Sequence, residues 1–208
     1  MSSETETVRR LGIMGGTFDP IHYGHLVTAE GARYEWGLEK VIFIPAGRPP
    51  HKPGLQITEP WDRYVMTGLA IESNPFFQVS VMEIERPGPS YTVDTVSAMQ
   101  VLYPESEIFF ITGSDAVLEV LTWKDVPKLL SKCRFISVSR PGYNLDKLHA
   151  GLDGIPEELK KKIIYMQVPS LAISSTEIRK RVREGRPVKY LLPESVENYI
   201  MKKELYRQ

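Results

Sequence analysis

The chain has 208 residues, 42% of them hydrophobic and 25% charged, with 26 Lys plus Arg balanced by 26 Asp plus Glu. That length and composition suit one large domain, or a domain with a small appendage, built around a real core. The zero net charge argues against a general nucleic-acid coat, though not against a local basic pocket for a small anion.

The start, Met1–Thr7, is polar and acidic, unlike a signal or transit peptide. No apolar stretch approaches the ~20 residues needed to cross a bilayer. The expectation is a soluble, cytoplasmic protein with no nucleic-acid and no membrane partner. The single cysteine, Cys133, has no intrachain disulfide partner, and its apolar surroundings read as those of a small buried hydrophobe.

In chain order, strands are predicted at Arg10–Met14, Lys40–Ile44, Phe77–Val81, Glu107–Thr112, Arg134–Val138 and Ile163–Gln167. A helix starts near Gly24, where Leu26, Ala29, Arg33 and Trp36 fall at helical spacing with Ala32 beside them. Further helices are expected over Asp62–Ser73 and Thr92–Leu102, and another opens at Ser174. A closing helix carries Leu192, Val196, Tyr199 and Ile200 on one face. Pro45–Gly54 holds too much Pro and Gly for regular structure, and Ser139–Asn144 reads as a turn. Strands alternating with helices imply an α/β protein with a doubly wound parallel sheet and helices on both faces. Residues 1–208 read as a single domain, with the helical part from about 172 to 208 packed on it. Ligands in such folds bind beyond the carboxyl ends of the strands, so the loops after Met14, Ile44, Thr112 and Val138 are the candidate site.

The first of these loops runs Gly15-Gly16-Thr17-Phe18-Asp19-Pro20-Ile21-His22-Tyr23-Gly24-His25. Paired glycines let the backbone approach a bulky anion, and a helix starting near Gly24 points free N–H groups and its positive dipole end at the loop. His22 and His25 can face one pocket, donate hydrogen bonds and carry positive charge near neutral pH. The spacing fits neither a dinucleotide-binding loop nor a P-loop. No Cys or carboxylate lies at convincing metal-ligand spacing from the two histidines, so no protein metal site is expected. The alternative is that both histidines merely cap a helix and meet solvent.

Far along the chain, Ile173-Ser174-Ser175-Thr176-Glu177-Ile178-Arg179 opens a second helix. Ser174 and Glu177 match a capping box, and Ile178 and Val182 supply the buried spacing. Capping leaves unexplained why three hydroxyls and an arginine crowd the first turns, an arrangement suited to phosphate oxygens.

Together these segments resemble the nucleotidyltransferases with a HIGH-type motif, through Gly-Gly-x-Phe-x-Pro-x-His-x-Gly-His and Ile-Ser-Ser-Thr-x-Ile-Arg. The resemblance is strongest to the bacterial nicotinate-nucleotide adenylyltransferases. It extends to Phe109–Asp115 and to Ile136–Gly142, which resemble the family's strands beside the nucleotide. Ser90-Tyr91-Thr92-Val93-Asp94-Thr95 and Leu121-Thr122-Trp123-Lys124 resemble its acceptor segments. One departure stands out: Lys124 follows the tryptophan where the family often has an aromatic.

The resemblance implies a Rossmann-like fold and transfer of AMP from ATP to nicotinate mononucleotide, giving deamido-NAD and pyrophosphate. It implies catalytic roles for His22, His25 and Arg179. ATP would be bound by Gly15, Gly16, Thr17, Phe18, His22, His25, Gly113, Asp115, Arg140, Ser175, Thr176 and Arg179. The acceptor would meet Lys52, Tyr91, Thr92, Trp123 and Lys124. For Asp115 a helix N-cap is an equal alternative, and for Trp123 a core aromatic is another. Mg2+ would arrive on the ATP phosphates. Partners are then the two small-molecule substrates, with a homo-oligomer left open. Three alternatives remain: nicotinamide mononucleotide as acceptor, pantetheine phosphate as acceptor, and a nucleotide-binding module without turnover.

Overall fold

Val41, Ile42, Phe43 and Ile44 are all buried, and such a continuous apolar run belongs to a strand covered on both faces. The computed structural model describes residues 9–50, 56–113, 123–139, 156–169 and 171–207. In chain order they form β1 (Arg10–Gly16), α1 (Tyr23–Trp36), β2 (Lys40–Pro45), α2 (Pro60–Ile71), β3 (Phe77–Val79), α3 (Met82–Glu85) and α4 (Thr92–Leu102). Then follow β4 (Glu107–Gly113), α5 (Val126–Lys132), β5 (Arg134–Ser139), α6 (Glu157–Lys160), β6 (Ile163–Gln167), α7 (Ser175–Arg183) and α8 (Glu194–Lys202).

The six strands make one sheet in the order β3-β2-β1-β4-β5-β6, with every neighbouring pair parallel. The order reverses between β1 and β4, and the crevice at that reversal is where such sheets bind ligands. Side chains alternate across the sheet, as the pleat requires. Met14, Phe43, Phe109, Ile111, Ile136 and Met166 pack with α1, α2, α7 and α8. Leu11, Ile13, Ile42, Ile44, Phe110 and Phe135 pack with α4 and α5 on the other face. Ile178, Val182, Val196 and Ile200, from the last two helices, join the same cluster as Met14 and Ile21. Tyr199 donates to Asp62 at 2.7 Å and Ser195 to the Leu69 carbonyl at 3.0 Å, which ties α8 to α2.

All six predicted strands are present, five with a shifted C-terminal end and β6 as expected. β1 runs on to Gly16 because Gly15 and Gly16 pair with Ile44 and Pro45. Pro45 thus belongs to β2, not to the irregular segment expected from it. β3 stops at Val79, since Ser80 turns to accept the Met82 N–H at 3.3 Å and start α3. α2 begins two residues before expectation, with Pro60 at the first helical position, where its missing N–H costs nothing. α3, α5 and α6, of four, seven and four residues, are too short to display a helical period. Cys133 is 3% exposed, its thiol donates to the Leu129 carbonyl, and burial pushes its pKa up to about 12, so it stays a thiol. Among the described residues no helix is long and apolar enough to cross a membrane.

Candidate active site

The loop after β1 is shaped by its own side chains. A Cβ on Gly16 would come within 2.9 Å of the Phe18 ring, and one on Gly24 within 2.9 Å of the His22 ring. The glycines therefore make room for the motif's rings as well as for a ligand. Phe18 adopts φ 48°, is 2% exposed, and meets His25 edge-on at 5.1 Å between ring centroids. Any nucleotide contact by Phe18 is left to its main chain. The His22 and His25 rings stack on each other at 3.8 Å between centroids.

The capping alternative is also partly realised. His22 is the N-cap of α1, in extended backbone, and its N–H donates to His25 Nδ1 at 3.2 Å. That contact requires an unprotonated Nδ1, so the proton of a neutral His25 sits on Nε2. Burial first, and the adjacent His22 second, hold the His25 pKa well below 6.5. His25 is thus a neutral Nε2–H donor at pH 7: of the two capacities expected of it, hydrogen-bond donation and positive charge, burial favours the first. The α1 N-terminus also has fewer free donors than expected. Tyr23 N–H bonds the Leu191 carbonyl at 3.1 Å, and the N–H groups of His25 and Leu26 bond the His22 carbonyl.

The second motif is stitched onto the first. Ser175 donates to the Pro20 carbonyl at 2.8 Å, and Arg179 Nη1 donates to the Asp19 carbonyl at 2.7 Å. Arg179 Nη2 reaches Thr176 Oγ1 at 3.4 Å. The Ser175 proton is therefore engaged within the protein, leaving its lone pairs and its main chain to a ligand. Ser174 caps α7 as expected, accepting from Glu177 N–H at 3.1 Å. The carboxylate of Glu177 turns instead to Arg181 at 2.9 Å and Arg186 at 3.6 Å, so only half of the expected capping box is made. The N–H groups of Ser175 and Thr176 precede the first intrahelical bond of α7, and this end of the helix faces the loop.

Beside the loop lies a cavity of about 180 Å³, lined by Gly15, Gly16, Thr17, Ala46, Pro49, Pro50, Glu83, Ser90, Tyr91, Thr92, Phe110, Trp123 and Lys124. Gly15–Thr17, in the loop expected to bind ATP, thus also line the cavity on the expected acceptor side. Trp123 stands edge-on to Phe110 at 5.9 Å and also packs on the α4–α5 side of the core. Trp123 is therefore in part a core aromatic, as the alternative had it, and it also lines the cavity. Thr92 is the first residue of α4, whose early N–H groups have no carbonyl one turn back. The Lys124 ammonium lies 4.4 Å from the centroid of the Tyr91 ring and 3.6 Å from Asp94 Oδ2. The departure from the family pattern is thus absorbed at the cavity wall, where the lysine covers an aromatic face. Two bonds between Arg48 and Ser90, Arg48 N–H to Ser90 Oγ at 3.1 Å and Ser90 N–H to the Arg48 carbonyl at 2.9 Å, join the segment after β2 to the one before α4.

Sequence reasoning missed the hub beneath this site. Arg63 is 1% exposed and donates to the carbonyls of Thr58 (2.8 Å), Thr17 (2.8 Å) and Gly47 (3.4 Å). Asp19, 5% exposed, takes Tyr206 Oη–H on Oδ1 at 2.8 Å and lies 4.0 Å from Arg179 through Oδ2. Glu83, 7% exposed, bonds Thr95, and burial raises its pKa. An arginine within the periodic pattern of α2 was the one available signal. Gly113 ends β4 with open space beside it. Lys52, Asp115 and Arg140 lie outside the described residues.

A family model described as cytidylyltransferase-like matches residues 13–181. The chain is 58% identical over 199 residues to a probable nicotinate-nucleotide adenylyltransferase of Moorella thermoacetica, covering 95% of this chain and 92% of that one. It is 56% identical over 200 residues to the protein so named in Thermoanaerobacter, covering 96% and 95%. A solved structure of Plasmodium falciparum nicotinic acid mononucleotide adenylyltransferase complexed with NaAD superposes with a TM-score of 0.73 at 23% identity, covering 95% of this chain and 97% of that one, a likeness of fold. By sequence this chain belongs to the cytidylyltransferase-like nucleotidyltransferases and, among them, to the nicotinate-nucleotide adenylyltransferase family.

Proposed function

We propose that the chain transfers AMP from ATP to nicotinate mononucleotide, releasing pyrophosphate and giving deamido-NAD. The observation that carries this reading is the stitching of the α7 motif onto the β1 loop through Arg179–Asp19 and Ser175–Pro20. It brings the two segments expected to hold phosphate together beside a cavity with an aromatic wall, which supports this reading. The names of the Moorella and Thermoanaerobacter relatives support the acceptor.

In this reading a phosphate oxygen of the acceptor attacks the α-phosphorus of ATP in line. The new P–O bond forms as the bond from the α-phosphorus to the bridging oxygen breaks, and pyrophosphate leaves with that electron pair. The nucleophile is already anionic, so the protein supplies position and charge neutralisation. Arg179 supplies the fixed positive charge, and His22, His25 and the main chain of Gly15–Thr17 supply hydrogen bonds. Trp123 offers its face to the pyridine ring, and the first turn of α4 at Thr92 offers N–H groups to the ring carboxylate. Gly113, Asp115, Arg140, Ser175 and Thr176 are assigned to ATP, and Lys52, Tyr91 and Lys124 to the acceptor. A divalent cation accompanies the nucleotide in nucleotidyltransferases, and we take it to be Mg2+. The side chains at the grip are imidazole and guanidinium, whereas a hard dication prefers oxygen, so the triphosphate oxygens would hold it in place of these side chains. It would neutralise phosphate charge. We further read residues 1–208 as one domain acting in the cytoplasm.

The test is pyrophosphate release from Mg-ATP with nicotinate mononucleotide, nicotinamide mononucleotide and pantetheine phosphate in turn. Turnover mainly with the first supports the reading. Preference for either other acceptor, or no turnover with any, removes it.

A further inference from the structure

Arg179 is placed by Asp19, and Asp19 is in turn held by a residue outside both motifs. The Tyr206 hydroxyl, 187 positions along the chain, donates to Asp19 Oδ1 at 2.8 Å. The other oxygen of that carboxylate accepts the Thr58 N–H at 3.5 Å and faces Arg179 Nη1 at 4.0 Å. Asp19 is 5% exposed, so its carboxylate depends on these groups in place of water.

The chain takes an uncommon course to bring Tyr206 there. α8 ends with Leu205 N–H bonding the Ile200 carbonyl at 3.1 Å and Glu204 N–H bonding the Met201 carbonyl at 3.3 Å. This is the closing pattern in which a left-handed residue stops a helix, and glycine usually fills that position. Gly37 does so after α1 and Gly185 after α7, at φ 58° and 67°. After α8 the residue is Glu204 at φ 55°, and Tyr206 itself sits at φ 66°. Two side-chain-bearing residues thus hold a backbone conformation that disfavours them. The turn sends Leu205 and Tyr206 against the buried cluster that contains Phe18 and Ile21. Burial first, and the Asp19 carboxylate second, raise the Tyr206 pKa, so the phenol stays a donor.

We infer that Tyr206 is a positioning residue for ATP, locking Asp19 so that Asp19 can present the Arg179 guanidinium to the triphosphate. The inference rests on the reading of Arg179 as a triphosphate ligand. It extends the nucleotide grip from two sequence motifs to a third segment, the turn after α8.

The test is a double-mutant cycle on ATP affinity, measured by calorimetry with Mg-ATP and no acceptor. Tyr206→Phe keeps the ring and removes only the hydroxyl, and it is expected to weaken ATP binding about tenfold. In an Arg179→Ala background the same substitution is expected to change affinity by less than about twofold, because the group it positions is gone. Circular dichroism confirms that each variant is folded. If Tyr206→Phe is not, Asp19→Asn in the same cycle reads the same link, since it keeps the main-chain carbonyl and weakens the carboxylate's hold. Unchanged affinity in the otherwise wild-type background, or an equal loss in both backgrounds, overturns the inference. A wild-type protein that binds ATP but makes no dinucleotide with nicotinate mononucleotide removes the functional reading and leaves this comparison intact.

Discussion

Arg179 donates to the main-chain carbonyl of Asp19 at 2.7 Å across 160 residues of sequence. The bond uses one arm of the guanidinium to fix its direction, and the planar fork leaves other N–H groups for phosphate. A lysine ammonium has rotatable donors and no fixed fork, so it loses this geometry. Arg179→Lys is expected to lower kcat/KM by roughly 10²–10³, in the range seen when one preorganised donor is lost. His22→Ala and His25→Ala are expected in the same range. Steady-state pyrophosphate release measures all three, and an unchanged rate in any of them removes that residue from the chemistry.

His25 makes stability depend on pH. In the folded protein, burial and His22 hold its pKa below the ordinary 6.5. The unfolded chain therefore takes up a proton on falling through about pH 6.5 that the folded chain does not, so stability drops as pH falls below that point. Thermal unfolding at about pH 7 and pH 5.5 should show a larger loss of Tm for wild type than for His25→Gln. Equal losses would show that the His25 ring is not held neutral.

Trp123 and Lys124 share the cavity wall but differ in expected weight. Trp123→Ala is expected to raise the KM for the acceptor by roughly three- to tenfold or more, from lost stacking and burial, with the KM for ATP nearly unchanged. Lys124 is half exposed and pairs with Asp94 at 3.6 Å, so Lys124→Met should shift the acceptor KM by only about twofold. Initial-rate kinetics with each substrate varied in turn separates these effects.

Gly47 lies against the main chain of α3. A Cβ there would come within 2.1 Å of the Glu83 carbonyl oxygen, and backbone cannot yield as a flexible side chain can. Gly47→Ala is expected to destabilise the protein by about 1–3 kcal/mol, the usual range for overpacking. Denaturant unfolding measures it. A change under about 0.5 kcal/mol, the level of an ordinary surface substitution, would mean the two segments are free to separate.

The sheet was legible because its signal is local. Apolar runs such as Val41–Ile44 and Phe109–Ile111 mark doubly covered strands, and α4 begins and ends where its period does. The motif residues were legible as a pattern, but their partners were not. Arg63 satisfies carbonyls 5, 16 and 46 positions away, and Tyr206 reaches Asp19 across 187. Such contacts leave no period in the sequence, since they depend on how finished elements pack. The neutral state of His25 is of the same kind, because it follows from burial and from the ring stacked on it.

The most direct test of the central claim follows the phosphorus atoms. The protein is incubated with Mg-ATP labelled at either the α- or the γ-phosphate, together with nicotinate mononucleotide. Transfer of AMP puts the α-label in deamido-NAD and the γ-label in pyrophosphate. Label from the γ-phosphate in the acceptor product, or no α-label in any dinucleotide, would contradict it.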